Sequence, residues 1–273
     1  MKEEMLYRFS RLERIVNTDG IDNLKSKCVL IIGLGGVGGY ALESLVRSGI
    51  GRVIIVDFDK IDETNINRQI IALDSTIDMY KVDVFESRIK DINPLCEVIK
   101  IKEFITKENI NLLFKYEIDY LIDACDTVDT KKAIIMECLF RGVKFISSMG
   151  TGNKLDPSKL EIIDIRKTVN DPLARIMRKF IRELNVKDKV LVLSSKELPI
   201  KTCDGKLGSS MFVPSSAGIL IASYIVREFI KKQSNWFVTL FFFRIFYIDQ
   251  LLFLEWLLLL RLLVPLYHFL VVI

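Results

Sequence analysis

The chain has 273 residues, half of them hydrophobic, with a formal net charge of +4, so it is long enough for one large globular domain and is not a polycation. Its one histidine, His268, lies near the C-terminus, which excludes a Ser-His-Asp triad, a Cys-His dyad or a histidine-ligated zinc in the main body. The five cysteines form no C-x-x-C pair. That pattern disfavours a zinc ribbon or a disulfide framework and favours the reducing cytoplasm.

Apolar runs alternate with helical patterns through the first half of the chain. A helical segment is expected over residues 1–27, before a core over residues 28–150. Strands are predicted at 28–33, 52–57, 96–101, 119–123 and 144–148, and helices at 36–49, 80–92, 109–116 and 128–141. This alternation predicts an α/β fold with a doubly wound, mostly parallel, Rossmann-like sheet. Binding sites in such folds lie at the carboxyl ends of the strands.

The regular alternation of strand and helix patterns ends at about residue 150. We interpret residues 151–232 as the substrate-binding part of the same domain. Added strands are predicted at 160–166 and 189–194, a charged helix at 172–184, a crossover loop at 195–212 and a last helix at 214–232. The hydrophobic tail, residues 233–273, is interrupted by charges and lacks a long uncharged run. We leave three interpretations open: a membrane-associating segment, a dimer-forming helix or an out-of-frame extension.

A glycine-rich turn follows the first predicted strand, in the sequence CVLIIGLGGVGG. The glycines are Gly33, Gly35, Gly36 and Gly38. Glycines at this spacing allow the backbone to approach a phosphate at a helix N-terminus. Asp57 ends the next strand, where a carboxylate accepts hydrogen bonds from ribose hydroxyls. Up to this point NAD and ATP fit equally well.

Cations beyond Asp57 favour ATP. Asp59, Asn65 and Arg68 lie in the polar loop DFDKIDETNINRQ, and Lys81 begins the following helix. We interpret Arg68 and Lys81 as surface cations that face phosphate, because a triphosphate needs such charges and a nicotinamide gains little from them. Asp126 follows a later strand and is placed to hold Mg²⁺ against the phosphates or to position the nucleophile.

Together, RFSRLER, GLGGVGG, VDFDKIDETNINRQ, YKVDVFESRIKDINP and DACDTVDTK resemble the adenylating domain of ubiquitin-activating-type enzymes over residues 8–232. The resemblance implies that ATP and Mg²⁺ activate a substrate carboxylate as an acyl-adenylate. It also implies Gly35, Gly36 and Gly38 on the phosphates, Asp57 on the ribose, Asn65, Arg68 and Lys81 around the triphosphate, and Asp126 at Mg²⁺. Arg11 or Arg14 would reach the ATP of the other subunit in a homodimer.

The second half resembles one subgroup, the tRNA threonylcarbamoyladenosine dehydratases, in NKLDPSKLEIIDIRKTVNDPLARIMRKFIREL and KTCDGKLGSSMFVPSSAGILIASYIVREFI. In that subgroup the carboxylate belongs to a modified adenosine at position 37 of tRNA, and cyclisation after adenylation is a net dehydration. The alternative is adenylation of the C-terminus of a small sulfur-carrier protein, whose enzymes commonly bear paired C-x-x-C motifs. An NAD(P)-binding oxidoreductase is the third hypothesis.

Residues 172–206 carry nine basic and four acidic side chains. Phosphate backbones bind such a patch by releasing counterions, although a solvated helix face explains the charge equally well. Within this segment, Cys203 corresponds to a loop position where related enzymes use a cysteine for thioester or persulfide chemistry. Dehydration needs no sulfur intermediate, so we interpret Cys203 as structural or accessory, with a sulfur-relay partner as the alternative. The other cysteines are predicted to be core residues.

Overall fold

A seven-stranded sheet organises residues 2–231, the part of the chain that this computed structural model describes. The strands are β1 (Cys28–Ile32), β2 (Arg52–Val56), β3 (Glu97–Ile101), β4 (Tyr120–Asp123), β5 (Phe145–Ser148), β6 (Leu160–Asp164) and β7 (Leu191–Ser195). They lie in the order β3-β2-β1-β4-β5-β7-β6. All neighbouring pairs are parallel except β6 and β7, which form an antiparallel pair at one edge.

Helices cover both faces of the sheet. They are α1 (Lys2–Lys25), α2 (Gly38–Arg47), α3 (Lys81–Ile92), α4 (Val128–Arg141), α5 (Pro172–Glu183) and α6 (Phe212–Lys231). Because side chains alternate along a strand, Val29 and Ile31 of β1 join a core with α1, α2, α3 and α6. Leu30 and Ile32 join a second core with α4 and α5. Each fully buried aliphatic side chain contributes about 1.5–3 kcal/mol, which explains why these strands are continuously apolar.

The strand order reverses beside β1. The chain passes from β1 to β2 and β3 on one side, then returns to β4 and β5 on the other. In open parallel sheets, the crevice at such a reversal is where ligands bind. The carboxyl ends of β1, β2, β4 and β5 therefore converge on one site.

The predicted α/β, doubly wound, mostly parallel fold is confirmed, with its added C-terminal strands, crossover loop and helix. Element ends agree within a few residues. The helix predicted at 109–116 is a 3₁₀ helix, Ile110–Lys115. Its buried residues Ile110 and Leu113 are three apart, which matches the three-residue repeat of a short 3₁₀ turn.

The predictions for the 233–273 tail lie outside the described residues. Within them, α6 is the one helix that is long and apolar enough to cross a membrane, with a mean hydropathy of 1.3. About half of it (56%) is buried inside the fold. Its composition is therefore explained by its place in the sheet's core.

The N-terminal helix predicted over residues 1–27 corresponds to α1, which has a non-helical Asn17 (φ 62°). Phe9 is buried, and Arg8 donates hydrogen bonds to the carbonyls of Asp91 and Ile92 at the end of α3. Arginine at the C-terminal end of a helix satisfies free carbonyls and the helix dipole. The first half of α1 is thereby fixed to the domain.

Candidate active site

A cavity of about 1200 Å³ lies at the carboxyl ends of the strands. Ordinary ligand pockets have about 300–1,000 Å³, so this one lies slightly above the usual range. One end is lined by the turn after β1, the ends of β2 and β3, and the start of α3. The other end is lined by the segment after β5, the start of α5 and the crossover loop. The loop after β4 lies on the wall shared by both ends, because β4 is between β1 and β5.

The glycine-rich turn forms one wall of the cavity through Gly33, Gly35 and Gly36. Gly33 has φ +84°, a conformation that side chains rarely adopt. Gly38 does not line the cavity, and a Cβ there would collide with the carbonyl of Gly33. Close packing of α2 against the turn after β1, rather than direct contact with a ligand, therefore accounts for Gly38.

Asp57 is a buried carboxylate at the end of β2. Its Oδ2 accepts a hydrogen bond from Leu34 N at 2.7 Å and its Oδ1 from Asp59 N at 2.8 Å. Burial raises the pKa of Asp57, while Lys81 and the two amides oppose that rise. The carboxylate is thus held rigidly against the glycine turn.

Lys81 is not a surface cation, which corrects the prediction for this residue. It is 5% exposed, and its Nζ lies 2.8 Å from Asp59 and 3.9 Å from Asp57. The segment between Asp59 and Lys81 folds back on itself, and an antiparallel β-bridge joins Lys60 to Tyr80. The first residue of α3, Lys81, is thereby brought next to Asp59. Nothing in the local sequence indicates this burial. Removing Lys81 would leave buried negative charge uncompensated, so its loss is expected to affect stability as well as ligand binding.

The polar loop after β2 supplies three more lining residues. Asn65 is 9% exposed, and its Oδ1 accepts a hydrogen bond from Asp62 N at 3.3 Å. Arg68 is half-buried and donates to Thr64 O at 2.7 Å. Gln69 is buried, and its Oε1 has no hydrogen-bond partner among the described residues. A buried amide oxygen without a partner is rare in proteins, and here it belongs to a residue that lines the cavity.

The loop after β4 rests on a buried polar network that sequence reasoning missed. Lys131, Asp123 and Ser147 are all 0% exposed, and Lys131 Nζ lies 3.0 Å from Asp123 Oδ2. The other oxygen, Oδ1, accepts from Cys125 N at 3.2 Å and from Cys125 Sγ at 3.0 Å. Asp126 follows directly, exposed at the cavity. The lysine in DACDTVDTK was the one available signal.

Cys125 matches its prediction only in part. It packs against the second core, as predicted, but it is only partly buried and it also lines the cavity. Burial, with Asp123 beside it, raises the pKa of the Cys125 thiol. Because the thiolate is the reactive form, this thiol is a poor nucleophile. Cys28, Cys96 and Cys138 are buried as predicted.

Lys154 and Asp171 line the other end of the cavity, and sequence reasoning did not single them out. Their side chains are 1% and 0% exposed, and Lys154 Nζ lies 3.6 Å from Asp171 Oδ2. The residues are distant in sequence, so no local spacing relates them. The fold brings the segment after β5 against the start of α5.

Residues 9–170 match the ThiF family. The chain belongs to the ThiF family. The tRNA threonylcarbamoyladenosine dehydratase of Bacillus subtilis is 43% identical over 244 residues, covering 83% of this chain and 96% of that relative. The structure of the Escherichia coli tRNA N6-threonylcarbamoyladenosine dehydratase with ATP has a TM-score of 0.79 and 29% identity, covering 84% of this chain and 96% of that one. The complex of the same enzyme with AMP has a TM-score of 0.80.

In this ThiF-family chain, Arg11 and Arg14 lie on α1, exposed and outside the lining of the cavity. Cys203 is exposed in the crossover loop and also lies outside that lining. The remaining predicted site residues all line the cavity, at the carboxyl ends of β1, β2 and β4 and at the start of α3. They are Gly33, Gly35, Gly36, Asp57, Asp59, Asn65, Arg68, Lys81 and Asp126.

Proposed function

We propose that this chain catalyses the ATP-dependent dehydration of threonylcarbamoyladenosine at position 37 of tRNA, through adenylation of the substrate carboxylate. This is an adenylate-forming reaction of the cyclo-ligase type. The observation that carries the proposal is the 43% identity with the Bacillus subtilis dehydratase over 96% of that relative. A cavity with two differently lined ends supports it, since the reaction must hold ATP and a carboxylate together.

ATP fits the end formed by β1, β2 and α3. Asp57, at the end of β2, is our proposed acceptor for the ribose hydroxyls. The turn containing Gly35 and Gly36 allows close approach of the triphosphate. Arg68 is the half-buried lining cation placed to neutralise charge that develops on the α-phosphate. Lys81, which forms an ion pair with Asp59, contributes positive charge from its buried position at the start of α3.

The charge of the cavity supports a role for Mg²⁺ at Asp126. Its lining contains four cationic side chains and six carboxylates, so the described lining is negative overall although ATP is an anion. The described residues contain no cluster of three or more His, Cys, Asp or Glu side chains for a metal. Mg²⁺ is commonly held by one or two carboxylates plus substrate phosphates, and Asp126 fits that donor set. When bound, the ion would neutralise phosphate charge.

We propose that Arg11 or Arg14 supplies a further cation to the partner's site in a homodimer. Tyr7 and Ile15 are 82% and 79% exposed, and each is four residues from Arg11. Residues at this spacing share one face of a helix. Large exposed apolar side chains beside an arginine are typical of a protein interface.

The tRNA-binding surface that we propose lies along α5. Arg175, Lys179 and Arg182 are exposed at helical spacing, and α5 begins at the cavity with Asp171 and Pro172. Arg178 does not belong to this surface, because it is partly buried and donates to the carbonyl of Thr168 at 2.8 Å. A basic stripe that leads from the cavity suits a phosphate backbone whose modified base enters the site.

The second candidate function is adenylation of the C-terminus of a small sulfur-carrier protein, which involves the same ATP chemistry. Exposure of Cys203 in the crossover loop is the observation that favours it, since an accessible thiol there suits a sulfur-relay partner. In both functions, the end of the cavity away from the proposed ATP site would receive the substrate carboxylate, either that of the modified tRNA or that of the carrier protein.

Pyrophosphate release distinguishes the two functions. The full chain is incubated with ATP, Mg²⁺ and one of three substrates: tRNA bearing threonylcarbamoyladenosine, the same tRNA without the modification, or a carrier protein ending in Gly-Gly. We expect release with the modified tRNA alone, together with a product that has lost one water by mass spectrometry. Release with the carrier and none with the modified tRNA would replace this proposal by the second.

A further inference from the structure

The end of the cavity away from the nucleotide contains a buried carboxylate with one unused oxygen. Asp171 Oδ1 caps α5 by accepting a hydrogen bond from Ala174 N at 2.9 Å. Its Oδ2 accepts no hydrogen bond from any described residue. Lys154 Nζ lies 3.6 Å from Oδ2, too far for a hydrogen bond, and donates instead to the carbonyl of Gly150 at 2.9 Å.

Capping alone does not explain this arrangement. Asn and Ser cap helices as well as Asp does, and neither places a negative charge in the interior. An ionised carboxylate that is almost completely buried is costly unless it is paired and fully hydrogen-bonded. Here Lys154 balances the charge, and Oδ2, although itself buried from solvent, lacks a hydrogen-bond donor in a residue that lines the cavity. A vacant acceptor held in this way suits a ligand N–H or O–H group.

Asp171 also lies close to where the activated carboxylate would form. A Cβ added at Gly150 would lie 3.4 Å from both of its carboxylate oxygens, so Asp171 packs against the segment that follows β5. Since β5 is the neighbour of β4, that segment lies beside the loop of Asp126. Asp171 therefore borders the same space as the proposed triphosphate site.

We propose that Asp171 is the general base for ring closure after adenylation, and that Lys154 is a positioning residue that balances the charge of this carboxylate and holds it at the lining of the cavity. The inference rests on the proposed function. A group that becomes more acidic as the ring closes must give up a proton there, and residues 2–231, which the structure describes, include no histidine to take it.

An oxygen or nitrogen of the ureido group in the threonylcarbamoyl substrate forms a bond to the acyl carbon with its electron pair. The bond between that carbon and the AMP oxygen breaks, and its electron pair leaves with AMP. One ureido N–H proton passes to Asp171 Oδ2, and solvent removes it afterwards. The net result of both half-reactions is loss of water, with ATP converted to AMP and pyrophosphate.

The test separates adenylation from ring closure in single turnovers with tRNA bearing threonylcarbamoyladenosine. The variants are Asp171→Asn, which keeps the cap and removes the base, and Asp171→Ser, which keeps a shorter cap. The matched control is Asp156→Asn: Asp156 caps a 3₁₀ turn through Ser158 N outside the cavity. Pyrophosphate reports adenylation, while the cyclic product, followed by mass spectrometry, reports ring closure.

For both Asp171 variants we expect a pyrophosphate burst of near wild-type size, with ring closure slowed about 10²–10⁴-fold and the acyl-adenylate accumulating. Lys154→Met should show the same separation of the two steps, and Lys154→Arg should recover part of the ring-closure rate. The Asp156→Asn control should match wild type in both steps.

Ring closure within a few-fold of wild type in Asp171→Asn would overturn the inference. So would equal loss of both steps in the two Asp171 variants at unchanged thermal stability, because this would indicate a binding role. Lys154→Arg no faster than Lys154→Met would remove the positioning role. If wild type itself released no pyrophosphate with this tRNA, the proposed function would fail and the inference with it. These results are distinguishable, since the last concerns wild type alone.

Discussion

The buried pair Lys131–Asp123 gives a sharp test of how the fold supports the site. Lys131→Met removes the ammonium and nearly preserves the volume of the side chain. Asp123 would then remain 0% exposed with its charge uncompensated. Breaking a buried pair in this way costs about 3–5 kcal/mol. For a domain of this size the corresponding fall in the melting temperature is roughly 6–20 °C.

Urea denaturation followed by circular dichroism measures the loss, and Lys132→Met is the matched control. Lys132 is the next residue on α4, and its partner Asp129 is 91% exposed. An exposed pair is worth about 0.2–1 kcal/mol, so this variant should remain close to wild type. The double variant Lys131→Met/Asp123→Asn should recover part of the stability, because it removes both charges. A Lys131→Met protein within 1 kcal/mol of wild type would refute the view that an ionised pair supports the loop of Asp126.

Four further predictions concern the ATP site. Arg68→Ala should lower kcat for pyrophosphate release by more than about 10²-fold, the loss of a charge-assisted phosphate contact, and near-normal turnover would exclude this role. Asp57→Asn should raise KM for ATP with little change in kcat, and Asp126→Asn should lower kcat; the reverse pattern in steady-state kinetics would mean that the roles are interchanged. Because burial raises the pKa of Asp57 above its ordinary value of 3.8, wild-type ATP affinity should start to fall on acidification before that value is reached, and titration of Asp57→Asn by calorimetry should lack this limb. A mixed dimer of Arg11→Ala/Arg14→Ala and Asp126→Ala subunits should regain about one active site in two, whereas no recovery after confirmed subunit exchange would leave both arginines as surface charge.

The sequence by itself determined the fold class and the nucleotide end of the site. Apolar strands bounded by Gly, Asp and Asn are local signals, since chain reversal and phosphate approach depend on backbone freedom at particular positions such as Gly33. Parallel strands are buried on both faces, so their composition reveals them directly. The carboxyl ends of those strands then meet at one edge, which is why Asp57 and Asp126 were predicted to be near each other.

Only the tertiary structure decided which charges are buried. Lys81 was predicted to be a surface cation that faces phosphate, and Lys131 and Lys154 were not singled out, yet each of the three is at most 5% exposed. Asp171 was not singled out from the sequence either. Burial depends on which elements become neighbours, and partners such as Lys154 and Asp171 meet only after β5, β7 and α5 have packed. No residue spacing within one element encodes that contact, because the physical cause is the packing of segments that are distant along the chain.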